Sequence, residues 1–281
     1  MGNLKTFNIT LRYYNLVIQP VKYHHPDCYV ELMKKVFAQE LSVVTGTDKL
    51  TKMRILSVFN DVIYGQLINM TTLGNDNWYD SETDTIGQHP TEPNMYPNAR
   101  EWDFYFMPEN HRMAVVVKRG ISWSQFEKYF ATVFDKVCPA LGYDTVIMNR
   151  VTSVQGLEEI YKLDTISTLE IEVSYSNNDN NDAFTTAIDN ELKETNVSVL
   201  KTKAEATKNN PIILKKEGNS YLTSLVNLSK NNGFTKARGK EGRRVKTVNT
   251  RNYPRVDLLK KITDNTMVKS IMESIRGIKE D

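Results

Sequence analysis

Residues 165–175 read Thr-Ile-Ser-Thr-Leu-Glu-Ile-Glu-Val-Ser-Tyr. Ile166, Thr168, Glu170 and Glu172 fall on one side of this run, and Leu169, Ile171 and Val173 on the other. A period of two with one apolar side is the pattern of a strand that has one face on a core and one in water, as antiparallel sheets allow. Upstream, 145–151 reads as a second strand and 153–161 as a short helix. Downstream, the polar run 176–182 shifts the composition sharply, and residues near 177–181 are expected to act as a linker and cap before a helix at 183–193.

The same reading extends to both ends. Residues 7–21 form a long first strand whose alternation is imperfect, and 26–41 a helix opened by Pro26 and Asp27. Strands at 53–59 and 62–70 turn at Asn60 and Asp61, and strands at 104–107 and 113–118 turn across Pro108. A helix from Ser122 carries the stripe Trp123, Phe126, Tyr129, Phe130 and Phe134, which is core. Past the linker, 197–204 and 212–214 read as strands and 221–228 as a helix ended by Asn231, Asn232 and Gly233. Runs 234–237 and 245–248 pair around residues 239–242. A final helix from Asp257 or Asp264 to Ile275 carries Leu258, Leu259, Ile262, Met267, Ile271 and Ile275, a candidate dimer contact or core stripe. The expected fold is α+β, with mostly antiparallel sheets, flanking helices and two subdomains. Residues 1–176 hold an acidic loop at 74–103, and residues 177–281 form a basic region with a terminal helix.

The 281 residues are 40% hydrophobic, enough for one large core or two smaller ones. No apolar run reaches about 18 residues, and no leader pattern opens the chain, so a cytoplasmic protein without membrane insertion is expected. Cys28 and Cys138 are the only cysteines, too few for a disulfide scaffold or a four-ligand zinc site. No metal or cofactor is expected.

Charge is distributed unevenly behind a formal total of +2. Residues 1–200 hold 17 Lys and Arg against 26 Asp and Glu, whereas residues 201–261 hold 16 against 4. Such a local excess suits a partner with a dense negative backbone. It centres on Lys236, Arg238, Lys240, Arg243, Arg244, Lys246 and Arg251, set among Gly233, Gly239, Gly242, Phe234 and Tyr253. Lys236 and Arg238 share a strand face, as do Arg244 and Lys246, so a hairpin would offer parallel cationic rows to a phosphate backbone. Tip glycines would permit close approach, and Thr247 and Thr250 would add neutral donors. Arg150, beside the central strand, is a further candidate contact. The alternatives are a solvated surface, or a hairpin docked on the acidic 74–103 segment of the same or another subunit.

Catalytic patterns are few in the chain. No Walker, dinucleotide, nucleophile-elbow or paired-cysteine signature is present. Asp27 with Glu31, Glu170 with Glu172, and Glu191 with Lys193 are the nearest approaches to a metal-dependent nuclease set, and none converges in sequence. His24, His25, His89 and His111 lack nucleophile partners in a motif. A binder rather than an enzyme is the leading reading, with a divergent nuclease or a scaffold for an acidic protein as alternatives.

The order of elements over roughly 145–255 resembles that of the RexA-like phage-exclusion proteins, related in fold to the RdgC DNA-binding proteins. The resemblance rests on Met148, Asn149 and Arg150 ending a strand, Thr152 and Ser153 opening a helix, and the strand 165–173. It continues through the helix from Ala183, the strand 197–203, and Asn232, Gly233, Phe234 and Pro254. It implies a homodimer that binds double-stranded DNA with little sequence preference and serves an anti-phage system beside an effector protein partner.

Overall fold

The computed structural model describes residues 5–59, 61–72, 78–80, 82–87, 95–175, 183–207, 209–216 and 220–279. Parts of the acidic 74–103 segment and the whole expected linker at 177–181 lie outside them. In chain order the larger elements begin with β1 Phe7–Gln19, α1 Pro26–Ala38, β2 Ser42–Gly46, β3 Lys49–Phe59 and β4 Val62–Thr71. A small ribbon follows, β5 Trp78–Asp80 and β6 Thr85–Gly87, then β7 Arg100–Met107, β8 Arg112–Val116 and α2 Trp123–Leu141. The chain continues with β9 Thr145–Arg150, α3 Val154–Tyr161, β10 Thr165–Val173, α4 Ala183–Glu194, β11 Leu200–Glu205 and α5 Tyr221–Asn232. It closes with β12 Gly233–Glu241, β13 Arg244–Asn249, β14 Val256–Ile262 and α6 Asp264–Arg276.

An eight-stranded antiparallel sheet runs in the order β14-β1-β8-β7-β4-β3-β2. β9 and β14 share one side of β1 end to end: β14 pairs with Phe7 to Arg12, and β9 with Tyr14 to Gln19. α1 and α2 cover one face through a cluster that includes Tyr14, Leu16, Ile18, Phe126 and Phe130. α6 covers the other, where Ile271 and Ile275 meet Leu11, Tyr13 and Ala114. With helices on both faces, β1 is buried without interruption from Leu11 to Gln19, which is why its alternation is imperfect.

A four-stranded antiparallel sheet, β11-β10-β12-β13, forms the second layer system. α3, α4 and α5 pack on one face of it, with Ile160, Ile188, Leu192 and Leu225 against Leu169, Ile171, Val173, Ala237 and Val248. Val17 of β1 joins this cluster, so β1 contributes to all three cores. A buried hydrogen bond from Asn15 Nδ2 to Asn232 Oδ1, 2.6 Å, also ties the sheets together.

The α+β class with antiparallel sheets is what the strand patterns indicated, but the sheets do not divide at 177–181. β10, the central strand of the smaller sheet, precedes that point, and β14 with α6 returns to the larger one. Residues 256–262 are a strand and not the start of the terminal helix, because the edge of β1 between Phe7 and Arg12 needs a hydrogen-bonding partner. The apolar stripe is therefore split: Leu258 is 53% exposed on β14, while Ile271 and Ile275 are core. Residues 212–214 make only a single bridge, Ile166 to Ile212.

Candidate nucleic-acid interface

β10 departs from strict alternation in one place. Its pairing with β12 shifts register between Ile166 and Thr168, so that Ser167 is an extra, bulged residue. The bulge moves Ile166 from the Glu170 side to the core side, where it is 1% exposed. Gly239 sits opposite, and a Cβ there would lie 2.1 Å from the Thr165 carbonyl oxygen. Gly239 is therefore a strand residue that admits a close backbone approach, and the turn falls at Gly242 and Arg243, with Gly242 at φ 60°. The Gly242 N–H donates to Asp164 Oδ2 at 2.7 Å. The glycines thus serve the sheet and its turn.

Register also decides where the cations point. Direct cross-strand partners share a face, and Lys236, Arg238 and Lys240 lie opposite Asn249, Thr247 and Val245. Lys246 lies opposite Gly239 and Arg244 opposite Glu241, so the two expected rows occupy opposite faces of the ribbon and are not parallel. Lys246 turns toward α3, where its Nζ is 2.6 Å from Glu159 Oε2 and from Glu241 Oε2. Hydrogen bonds from Lys162 and Lys246 pull the Glu159 carboxyl down to about 2, and the hydrogen bonds to Glu159 and Glu241 raise Lys246. Thr247 is exposed on the open face, but Thr250 is buried and accepts from the Thr235 N–H at 2.9 Å. Thr250 is a fixture of the strand.

The face away from α3, α4 and α5 carries Lys201 and Lys203 of β11 as well, opposite Glu172 and Glu170. Sequence reasoning passed over these two lysines, although their period-two spacing on a strand beside β10 was a usable signal. Glu170 pairs with Lys236 at 3.4 Å and Glu172 with Lys201 at 3.4 Å, while Lys203 pairs with Glu205 at 2.5 Å. That last contact raises the lysine and lowers the acid. Arg238, Lys240, Arg243 and Arg244 are exposed and have no carboxylate partner among the described residues. The balance of the face is positive, with its free charge on Arg238 and Lys240.

Two hollows meet at Arg238. One, of about 420 Å³, is lined by Thr165, Ser167, Arg238, Lys240, Thr207 and Asn209, among others. The other, of about 260 Å³, is lined by Thr168, Glu170, Lys236, Arg238 and Thr247. Hydroxyls beside unpaired guanidinium and ammonium groups are the donor set that phosphates take. From Lys240 to Phe234 the row runs about 20 Å along β12, or about six base-pair steps.

At the far end, the Arg251 guanidinium lies 3.7 Å from the Phe234 ring centroid. Arg251 and Arg150 both line a third hollow of about 250 Å³ at the seam between the sheets. Arg150 is not a free contact: Nε and Nη2 donate to the two Glu127 oxygens at 2.5 and 2.7 Å, which raises the arginine. Arg12 lies nearby over Trp123 at 4.3 Å, and burial lowers its pKa.

Among the described residues no group of three or more His, Cys, Asp or Glu side chains is placed to hold a metal ion. Glu170 and Glu172 are engaged by basic neighbours, and Lys193 pairs with Asp189 at 2.7 Å rather than with Glu191. No helix among the described residues is long and apolar enough to cross a membrane. A family model, DUF4747, a domain of unknown function, matches residues 9–276. The chain belongs to the DUF4747 family. This match takes in both sheets and α6, so the DUF4747 domain includes the returning strand β14. No curated protein matches the chain.

Proposed function

We propose that this chain binds double-stranded DNA with little sequence preference, through the open face of the four-stranded sheet. The observation that carries the reading is the row Lys236, Arg238 and Lys240 on one face of β12, beside Lys201 and Lys203 and above two hydroxyl-lined hollows. The mechanism is electrostatic: the cations displace condensed counterions from phosphates, and the exposed hydroxyls fix the register of the backbone. Arg243 at the turn extends the row, while Arg244, Lys246 and Arg150 lie off it. A role as the DNA-engaging component of an anti-phage system, acting as a homodimer with an effector protein, follows from the resemblance to RexA-like proteins alone. Such a homodimer would use a surface other than Ile271 and Ile275, which are spent inside the subunit.

The test is binding of a labelled 30-base-pair duplex across a salt series, with and without Mg²⁺, following mobility and strand integrity. Phosphate contacts from the three cations of the row without a carboxylate partner among the described residues, Arg238, Lys240 and Arg243, give a slope of log K against log salt of about −2.7. Replacing Arg238 and Lys240 with Glu is expected to weaken binding to all sequences at least about tenfold and to flatten the slope by about 2. Replacing Arg244 with Glu has the smaller effect, because it lies on the other face. Equal losses from the two variants would remove the open face from the reading, and cleavage with Mg²⁺ would replace a binder with a nuclease.

A further inference from the structure

We propose that the hollow between the two sheets takes one unpaired nucleobase from the nucleic acid lying on the open face; the inference rests on the DNA-binding reading above. Arg251 lines it, and its guanidinium lies 3.7 Å from the Phe234 ring centroid, which is stacking distance. Its walls include Met148, Asn149, Thr152 and the Arg150–Glu127 pair, in a space of about 250 Å³. A planar cation already backed by an aromatic ring is a surface on which a base stacks, whatever its identity.

Charge decides between a base and a phosphate. Each of the two guanidinium groups that line the hollow already faces a carboxylate. Glu127 takes both donors of Arg150 and a hydrogen bond from the Tyr14 hydroxyl at 2.8 Å, and Glu172 lies 3.7 Å from Arg251. Both lining guanidinium groups are engaged, so an anion finds a weaker hold here than on Arg238 or Lys240. The hollow instead presents hydrogen-bonding groups of both polarities around a flat face, together with the thioether of Met148. Those are the requirements of a heterocyclic ring with donors and acceptors on its edge.

Position supplies the rest. Phe234 and Lys236 are two residues apart on the same face of β12, about 7 Å. A nucleotide whose phosphate takes Lys236 from Glu170 is therefore near Arg251, which stacks on Phe234 and lines the hollow, so a base outside the stack can turn in. A fully paired duplex has none to give without paying for unpairing. The site thus predicts a preference for DNA with a bulge, flap or mismatch, added to the electrostatic binding that any duplex receives.

The test compares two 30-base-pair duplexes at one salt concentration by fluorescence anisotropy, one fully paired and one carrying a single unpaired adenine. The wild-type chain is expected to bind the bulged duplex at least about fivefold more tightly, the lower end for one base on one aromatic surface. Arg251→Lys keeps the charge and removes the planar face, and Phe234→Leu removes its backing; each should bring the ratio to about one. Equal binding of both duplexes by the wild type would overturn the inference and leave the DNA-binding reading standing. Binding of neither would overturn both. A bulge preference that survives in both variants would overturn the placement at this hollow.

Discussion

Lys246 Nζ sits within 2.6 Å of both Glu159 and Glu241, whereas Arg238, on the opposite face of the ribbon, has no such partner among the described residues. Both are basic residues of one hairpin, yet only one has its charge available to a phosphate. The depressed carboxyl of Glu159 gives a direct check. Its interaction with Lys162 and Lys246 is fully present above about 4.5, its ordinary value, and is lost as pH falls toward about 2. Side-chain carboxyl NMR should place the Glu159 midpoint well below 4.5 in the native chain, and Lys246→Gln should move it upward; an unchanged midpoint would detach the lysine from the acid. Ile166 and Thr250 carry the same lesson in the opposite direction. A one-residue bulge turns the first into the core, and a buried strand-start contact occupies the second, neither of which a residue type announces.

Among elements, the β12–β13 hairpin was legible as a hairpin but not as a surface. Turn residues and β-propensity locate two strands, while the face each side chain takes depends on the register with the partner. A different glycine at each position makes this measurable by urea denaturation. Gly239→Ala would push a Cβ to 2.1 Å from the Thr165 oxygen and should cost about 1–3 kcal/mol. Gly242→Ala meets nothing within 4 Å, and only its φ of 60° opposes it, so about 1 kcal/mol is expected. The reverse order would mean that the bulge does not hold β10 against β12. Residues 256–262 show why, of the two expected starts of the last helix, Asp264 holds and Asp257 does not. Leu258, Leu259 and Ile262 fit a helical spacing, but a run this short fits a strand equally well, and the free edge of β1 settles it.

At the scale of the molecule, β1 lies in three cores at once and Asn15 bonds across to Asn232, so the two sheets are one structural body and not two halves in sequence. A fragment of residues 177–281 lacks β10 and is expected to stay unfolded by circular dichroism. A fragment ending at residue 255 loses Ile262, Ile271, Ile275 and Ile278 from the α6 face and should expose Tyr13 and Leu11 to dye binding and proteolysis. Folding of the first fragment would restore a division near 177–181. The sequence by itself determined the type of most elements, the antiparallel α+β class and the basic character of residues 201–261, because periodicity and charge density are properties of local chain. Tertiary structure alone decided which cations share a face, where β14 goes and how Arg251 and Arg150 come to border one hollow. Each of these depends on register and pairing between residues far apart in the chain, which local pattern does not encode.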